Sequence, residues 1–256
     1  MLTRKVLFIN NYTMKYILAN WKMYLNYEES VNLAKQIKSL DTEDNLIIFP
    51  SALAFKEIVS MGFETGAQNV SWAPQGAYTG ALSAFLYKEV GAKYALVGHS
   101  ERRYIFGENN EDVRKKVESC FDVGLTPVVC IGETKEDKDE SKTQYRIKKQ
   151  IMKVFDNLDI GNNKIIIAYE PVWAISHGGE GQPCTPADAE DVMGLIKREI
   201  LEYTDNEIPI LYGGSVDEKN VLSYVALEDC SGVLVGSAST KIDSFTEIIK
   251  ELSDIN

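Results

Sequence analysis

The chain has 256 residues, 45% of them hydrophobic, and carries a formal net charge of −11 with a pI near 4.8. That size suits one large domain with a substantial core, while the acidic balance argues against nucleic-acid binding, which needs a basic surface. No apolar run approaches the ~20 residues of a membrane span, and two histidines, His99 and His177, are too few for a multi-histidine metal centre.

The opening segment, Met1–Ile9, places charge before a short apolar stretch, but Asn10–Thr13 is a poor cleavage site, which argues against a signal peptide. Residues 1–13 have no helix to pair with. They read as an N-terminal extension, either a disordered tail or the product of a start assigned ahead of Met14, with 14–256 forming one catalytic domain. Cys120, Cys130, Cys184 and Cys230 are scattered, without C-x-x-C or metal spacing, as expected of reduced thiols in a cytoplasmic protein.

Eight β-rich runs follow in order: Tyr16–Ala19, Asn45–Phe49, Glu64–Gln68, Tyr94–Val97, Pro127–Ile131, Lys164–Glu170, Ile208–Tyr212 and Gly232–Val235. Most lack the alternation of a half-wet sheet, as strands covered on both faces do. Amphipathic segments lie between them. Ile147, Ile151, Val154, Phe155 and Leu158 share one helical face; so do Val192, Met193, Ile196 and Ile200, and then Ile242, Phe245, Ile249 and Leu252. Thr185-Pro186 supplies a cap followed by a first-turn proline. Eight strand–helix units without a linker predict a single α/β domain, a closed (β/α)8 barrel. An open doubly wound sheet is the competitor, but no G-x-G-x-x-G follows the first strand.

In such a barrel chemistry gathers where strands end. Asn20-Trp21-Lys22 follows the first strand, and Lys22 brings a point positive charge to an acidic protein. Gly98-His99-Ser100-Glu101 follows the fourth. Ser100 is expected to cap the next helix, whose positive end disfavours imidazolium and keeps His99 a neutral donor. Glu170 closes the sixth strand and leads through Pro171-Val172-Trp173 into a glycine-rich stretch, as a base under a moving lid would. Gly213-Gly214-Ser215 and Gly236-Ser237 follow the last two strands, and their free N–H groups can form an anion nest. Each residue also has a plainer reading, such as a loop lysine, a satisfied core histidine or a tight-turn glycine.

The segments Ala19-Asn20-Trp21-Lys22-Met23, Gly98–Arg103, Ala168–Ile175 and Tyr212–Val216 together resemble the triosephosphate isomerase family, from about Lys15 to the C-terminus. Concordant are Gly66–Asn69, Gly76–Gly80 and Cys130–Glu133. The resemblance implies an isomerase of glycolysis and gluconeogenesis that interconverts D-glyceraldehyde 3-phosphate and dihydroxyacetone phosphate. It implies Glu170 as base, His99 as neutral electrophile and Lys22 as stabiliser of the enediolate and phosphate. Asn20 and Glu101 would hold that constellation. Ser176, Ser215, Gly236 and Ser237 would offer N–H groups to phosphate, and Tyr212 with Ser215 would latch the closed lid. The Glu/His pairing is that family's established chemistry. The resemblance calls for no metal or cofactor, no nucleic acid and no membrane, and implies a homodimer.

Three departures stand out. The lid tip, Ser176–Cys184, is longer than the family's usual Gly-Thr-Gly-Lys type, and Pro183 alters its second hinge, which predicts altered gating. Ser237 replaces the second glycine of a usual pair. Ala81 stands where a glutamate usually pairs with the partner subunit's arginine, so Arg102 is expected to use Glu101 or Glu108 instead. Two alternatives remain open at this point: an isomerase of a four-carbon ketose or aldose phosphate, and a phosphometabolite-binding protein without catalysis.

Overall fold

The chain closes on itself because its first strand pairs with its last. In the computed structural model, which describes residues 16–40, 45–175 and 183–253, eight parallel strands form one barrel in sequence order. They are β1 Tyr16–Asn20, β2 Asn45–Phe49, β3 Glu64–Ala67, β4 Tyr94–Val97, β5 Thr126–Ile131, β6 Ile166–Tyr169, β7 Ile210–Tyr212 and β8 Gly232–Val235. Register at the seam runs from Tyr16↔Gly232 to Ala19↔Val235. The expected barrel is therefore observed. Residues 1–13, expected as an N-terminal extension, lie outside the described residues.

Period-2 geometry sends alternate residues of each strand to opposite faces. Leu18, Ile47, Phe49, Leu96, Val128, Cys130, Ile166, Ala168, Leu211 and Leu234 fill the lumen as one buried cluster. Their neighbours Ile17, Ala19, Ile48, Val97, Val129 and Ile167 join a larger outer cluster under the helices. Both faces are dry, which is why the strands read as unbroken apolar runs. The helices contribute the faces read from the sequence: Ile147, Ile151, Val154 and Phe155 are buried, as are Met193, Ile196, Ile200, Phe245, Ile249 and Leu252. Each such aliphatic or aromatic side chain contributes about 1.5–3 kcal/mol on burial. Leu158 lies beyond its helix, which ends at Phe155, and still packs on the core.

Thr185 caps the helix Pro186–Ile200 as expected, its hydroxyl accepting from Asp188 N at 3.1 Å. Several strand ends differ from expectation. Gln68 and Glu170 each fall one residue past their strands, and Lys164–Ile165 and Ile208–Pro209 precede theirs. Main-chain bonding nevertheless continues past those ends. Glu170 N donates to Ile131 O at 2.8 Å, and Ile167 N donates to Pro209 O at 2.9 Å. Among the described residues no helix is long and apolar enough to cross a membrane.

Candidate active site

The ends of β1, β4, β6, β7 and β8 open onto one cleft of about 420 Å³, lined by Asn20, Lys22, His99, Glu170, Ser215, Gly236 and Ser237 among others. Residues distant in sequence thus share one solvent-facing hollow. Ser176 and most of the longer lid tip (176–182) lie outside the described residues.

Lys22 sits in a left-handed conformation, φ 49°, uncommon for a residue with a side chain and typical of sites where surroundings over-determine the backbone. Two bonds do so here. Asn20 Oδ1 accepts from Lys22 N at 3.1 Å, and Gln68 Nε2 donates to Lys22 O at 2.7 Å and to Phe49 O at 2.9 Å. The ammonium then reaches Glu101 Oε1 at 2.8 Å. Asn20 and Glu101 thus both bond to Lys22. In the sequence Gln68 reads only as a strand end and part of a concordant segment; its bridge between two distant carbonyls has no signature in spacing.

His99, and not Ser100, caps the short helix Ser100–Tyr104. Its Nδ1 accepts from Glu101 N at 3.2 Å. An engaged Nδ1 lone pair leaves the ring proton on Nε2, so the imidazole is a neutral Nε2–H donor. Ser100 is instead the first helical residue, with its own N–H free of the intrahelical ladder. That N–H donates to Glu170 Oε2 at 2.8 Å. Glu170, 2% exposed, also has Oε1 3.1 Å from His99 Nε2.

The backbone around Glu170 is tightly fitted. A Cβ on Gly132 would lie 1.7 Å from Glu170 O, so only glycine lets these strands' ends approach. Beneath, Arg103 joins Gly98 O at 2.6 Å, Asn110 Oδ1 at 2.8 Å and Cys130 O at 3.1 Å, fixing the turn that presents His99.

Past Glu170, Trp173 Nε1 donates to Glu133 Oε1 at 2.7 Å and Tyr169 Oη to the same oxygen at 3.1 Å. Burial pushes the Glu133 pKa up, and the Trp173 bond only partly offsets this. Lys138 Nζ stands 3.4 Å over the Trp173 ring. Ser215 Oγ donates to Ala174 O at 2.7 Å, joining the loop after β7 to the segment after Glu170. Tyr212 is fully buried and stacks on Tyr224 at 3.8 Å; burial, with Cys184 beside it, raises its pKa well above the ordinary tyrosine value. Cys184 is itself buried, and burial pushes its thiol up to about 12.

Arg102 uses Glu108, at 2.8 Å, while Glu101 takes Lys22. Among the described residues no three His, Cys, Asp or Glu side chains group as a metal site.

The arrangement supplies a desolvated carboxylate, a neutral imidazole donor and an ammonium around one hollow, with main-chain N–H groups on the β7 and β8 loops. It suits proton transfer at a carbon beside a carbonyl, in which a base works against donors aimed at a developing oxyanion.

Comparison with known proteins agrees with this chemistry. A family model described as triosephosphate isomerase matches residues 15–252. The chain is 40% identical over 248 residues to a Dictyoglomus thermophilum protein named triosephosphate isomerase, covering 92% of this chain and 98% of that one. It is 38% identical over 244 residues to the protein of that name from Nostoc, with the same coverage. It is also 39% identical over 243 residues to that from Aquifex aeolicus, covering 91% of this chain and 97% of the other. The fold, the cleft and these matches together make the chain a member of the triosephosphate isomerase family.

Proposed function

We propose that this protein interconverts D-glyceraldehyde 3-phosphate and dihydroxyacetone phosphate by proton transfer through an enediolate. The observation that carries the reading is the convergence of Glu170, His99 and Lys22 on one cleft, with Glu170 Oε1 3.1 Å from His99 Nε2. In this reading Glu170 removes the proton from the carbon beside the carbonyl and returns it to the neighbouring carbon. His99 donates from Nε2 to the carbonyl oxygen, which gains negative charge in the transition state. Lys22 opposes the charge of the enediolate and of the phosphate. Asn20 and Glu101 fix Lys22. Main-chain N–H groups of Ser215, Gly236, Ser237 and Ser176 receive the phosphate. Tyr212 and Ser215 latch the segment after Glu170 when it shuts out water.

The same reading extends to a cytoplasmic homodimer. Met23 is 96% exposed, Leu53 84% and Phe106 64%, a set of large apolar side chains that a second copy would cover. Arg102 is already held by Glu108, so the interface lacks the ion pair that a glutamate at position 81 would supply. Sedimentation at micromolar concentration should give a dimer; a monomer would refute that part and spare the chemistry.

A coupled assay with glyceraldehyde 3-phosphate tests the activity, with a four-carbon ketose phosphate as the comparison substrate. Turnover of the three-carbon substrate, and a loss on the order of 10²-fold or more in Glu170→Asp with binding preserved, is expected. Absence of turnover by the unmodified protein, or preference for the four-carbon compound, overturns the assignment. Replacing the 176–184 tip by a short Gly-Thr-Gly-Lys-type loop should change turnover or phosphate affinity; no change would refute a gating role for its length.

A further inference from the structure

The cleft does not end at the residues named above. It continues outward to Asp217, Glu218, Lys241 and Ser244, and these supply charge at its mouth. Lys241 is exposed and fixed by its backbone, its N–H donating to Ala238 O at 3.4 Å and its carbonyl accepting from Phe245 N at 2.9 Å. It therefore sits at the joint between the turn carrying Gly236 and Ser237 and the last helix, Ile242–Ser253.

The two cations of the cleft differ in their commitments. Lys22 is ion-paired with Glu101 at 2.8 Å. The Lys241 ammonium enters no ion pair with any described residue. Of the acidic side chains opposite, Asp217 is engaged by main chain, its Oδ1 accepting from Lys219 N at 2.9 Å and Asn220 N at 3.1 Å. Glu218 is held at Oε2 by the Ser244 hydroxyl at 2.7 Å, from the helix that follows Lys241. That bond, with help from Lys219 and Lys241, keeps the Glu218 carboxyl below its ordinary range.

A protein of net charge −11 repels a phosphate dianion at long range. An uncommitted cation at the mouth counters this, and a carboxylate pinned at the same mouth works the other way. We propose that Lys241 and Glu218 act as opposed charges that set the affinity of the cleft for phosphate, Lys241 drawing the dianion in and Glu218 resisting it. The proposal rests on the isomerase reading for its substrate, and concerns residues outside the proposed Glu170–His99–Lys22 machinery.

The test measures inorganic phosphate binding by calorimetry and KM for glyceraldehyde 3-phosphate in Lys241→Gln, Lys241→Arg and Glu218→Gln. Lys241→Gln should weaken phosphate about three- to tenfold and raise KM in proportion, more than it lowers kcat. Lys241→Arg should return both to within about twofold of the unmodified protein, since charge is retained. Glu218→Gln should shift both the opposite way, tightening phosphate about two- to fivefold, and all these shifts should shrink as salt is added. A merely structural role would move both charge-neutralised variants in one direction, together with their melting points. Unchanged phosphate binding in Lys241→Gln, or weaker binding in Glu218→Gln, overturns the proposal. Calorimetry needs no turnover, so loss of the isomerase assignment would leave this question separately answered.

Discussion

The main-chain N–H of Ser100 donates to Glu170 Oε2 at 2.8 Å, tying the buried carboxylate to the first residue of the helix that His99 caps. Three groups of different origin are thereby fixed relative to one another: a side chain after β6, a ring after β4 and an orphan helix N–H. A charge-assisted bond of this kind is worth about 1.5–3 kcal/mol, enough to hold a desolvated carboxylate in one place.

Ser100→Pro isolates that bond. Proline is accepted at the first helical position, where the N–H has no intrahelical partner, and His99 already has the extended backbone proline asks of its predecessor, φ −51° and ψ 145°. The ring would remove the donor and press on the carboxylate. The variant should stay folded by circular dichroism, with turnover reduced on the order of 10²-fold. Full turnover in a folded Ser100→Pro protein would show that the tether does not position Glu170.

Gly132→Ala addresses the other side of the same residue. Its Cβ would stand 1.7 Å from Glu170 O, and a main-chain oxygen cannot rotate away. The strand ends must separate, at about 3 kcal/mol or more by the upper range for overpacking. Urea denaturation should register that loss, and the remaining folded enzyme should turn over more slowly. Unaltered stability would mean the two loops separate freely.

Which of these features could be read in advance follows from how each is encoded. The barrel was legible because residues such as Ile17, Leu18 and Ala19 are apolar on both faces of a strand, leaving short unbroken runs at regular spacing. Lys22, His99 and Glu170 stood out because each lies within two residues of a strand's C-terminal end, where a barrel gathers its chemistry. Ser100 was misread as the cap because hydroxyl and imidazole can both accept a helix N–H, and only the turn geometry selects His99. Gln68 and the Ser100 N–H were hidden for a different reason. One acts through carbonyls far along the chain and the other through the backbone, which every residue has.

Glu133 gives a pH signature. Burial raises its pKa in the folded state, so folding favours its neutral form. The resulting stabilisation is fully present below the ordinary glutamate value and is lost as pH rises through the folded value. Glu133→Gln has no such titration. The stability of the unmodified protein relative to Glu133→Gln should therefore decline over a window that opens near the ordinary glutamate value of about 4, as read from urea midpoints. A difference that grows over this window would contradict the direction of the shift.

The thiols should be silent in the native protein. Cys120, Cys130, Cys184 and Cys230 are all buried thiols, and burial pushes Cys120 and Cys184 up to about 12. Thiolate, not thiol, reacts, so a disulfide reagent at mildly alkaline pH should label native protein at least ~10³-fold more slowly than free cysteine. All should react once denaturant is added. Rapid labelling of Cys184 in native protein would show that the segment covering it opens readily.

Barrel closure carries a consequence for synthesis. Tyr16 must find Gly232 to complete the seam, yet it leaves the ribosome long before that glycine is made. At about 5–20 residues per second the wait is on the order of tens of seconds. Throughout that interval one edge of β1 presents unpaired main-chain groups. The nascent chain thus spends its birth as an open, adhesive ribbon, and the last strand acts as the clasp that ends its exposure.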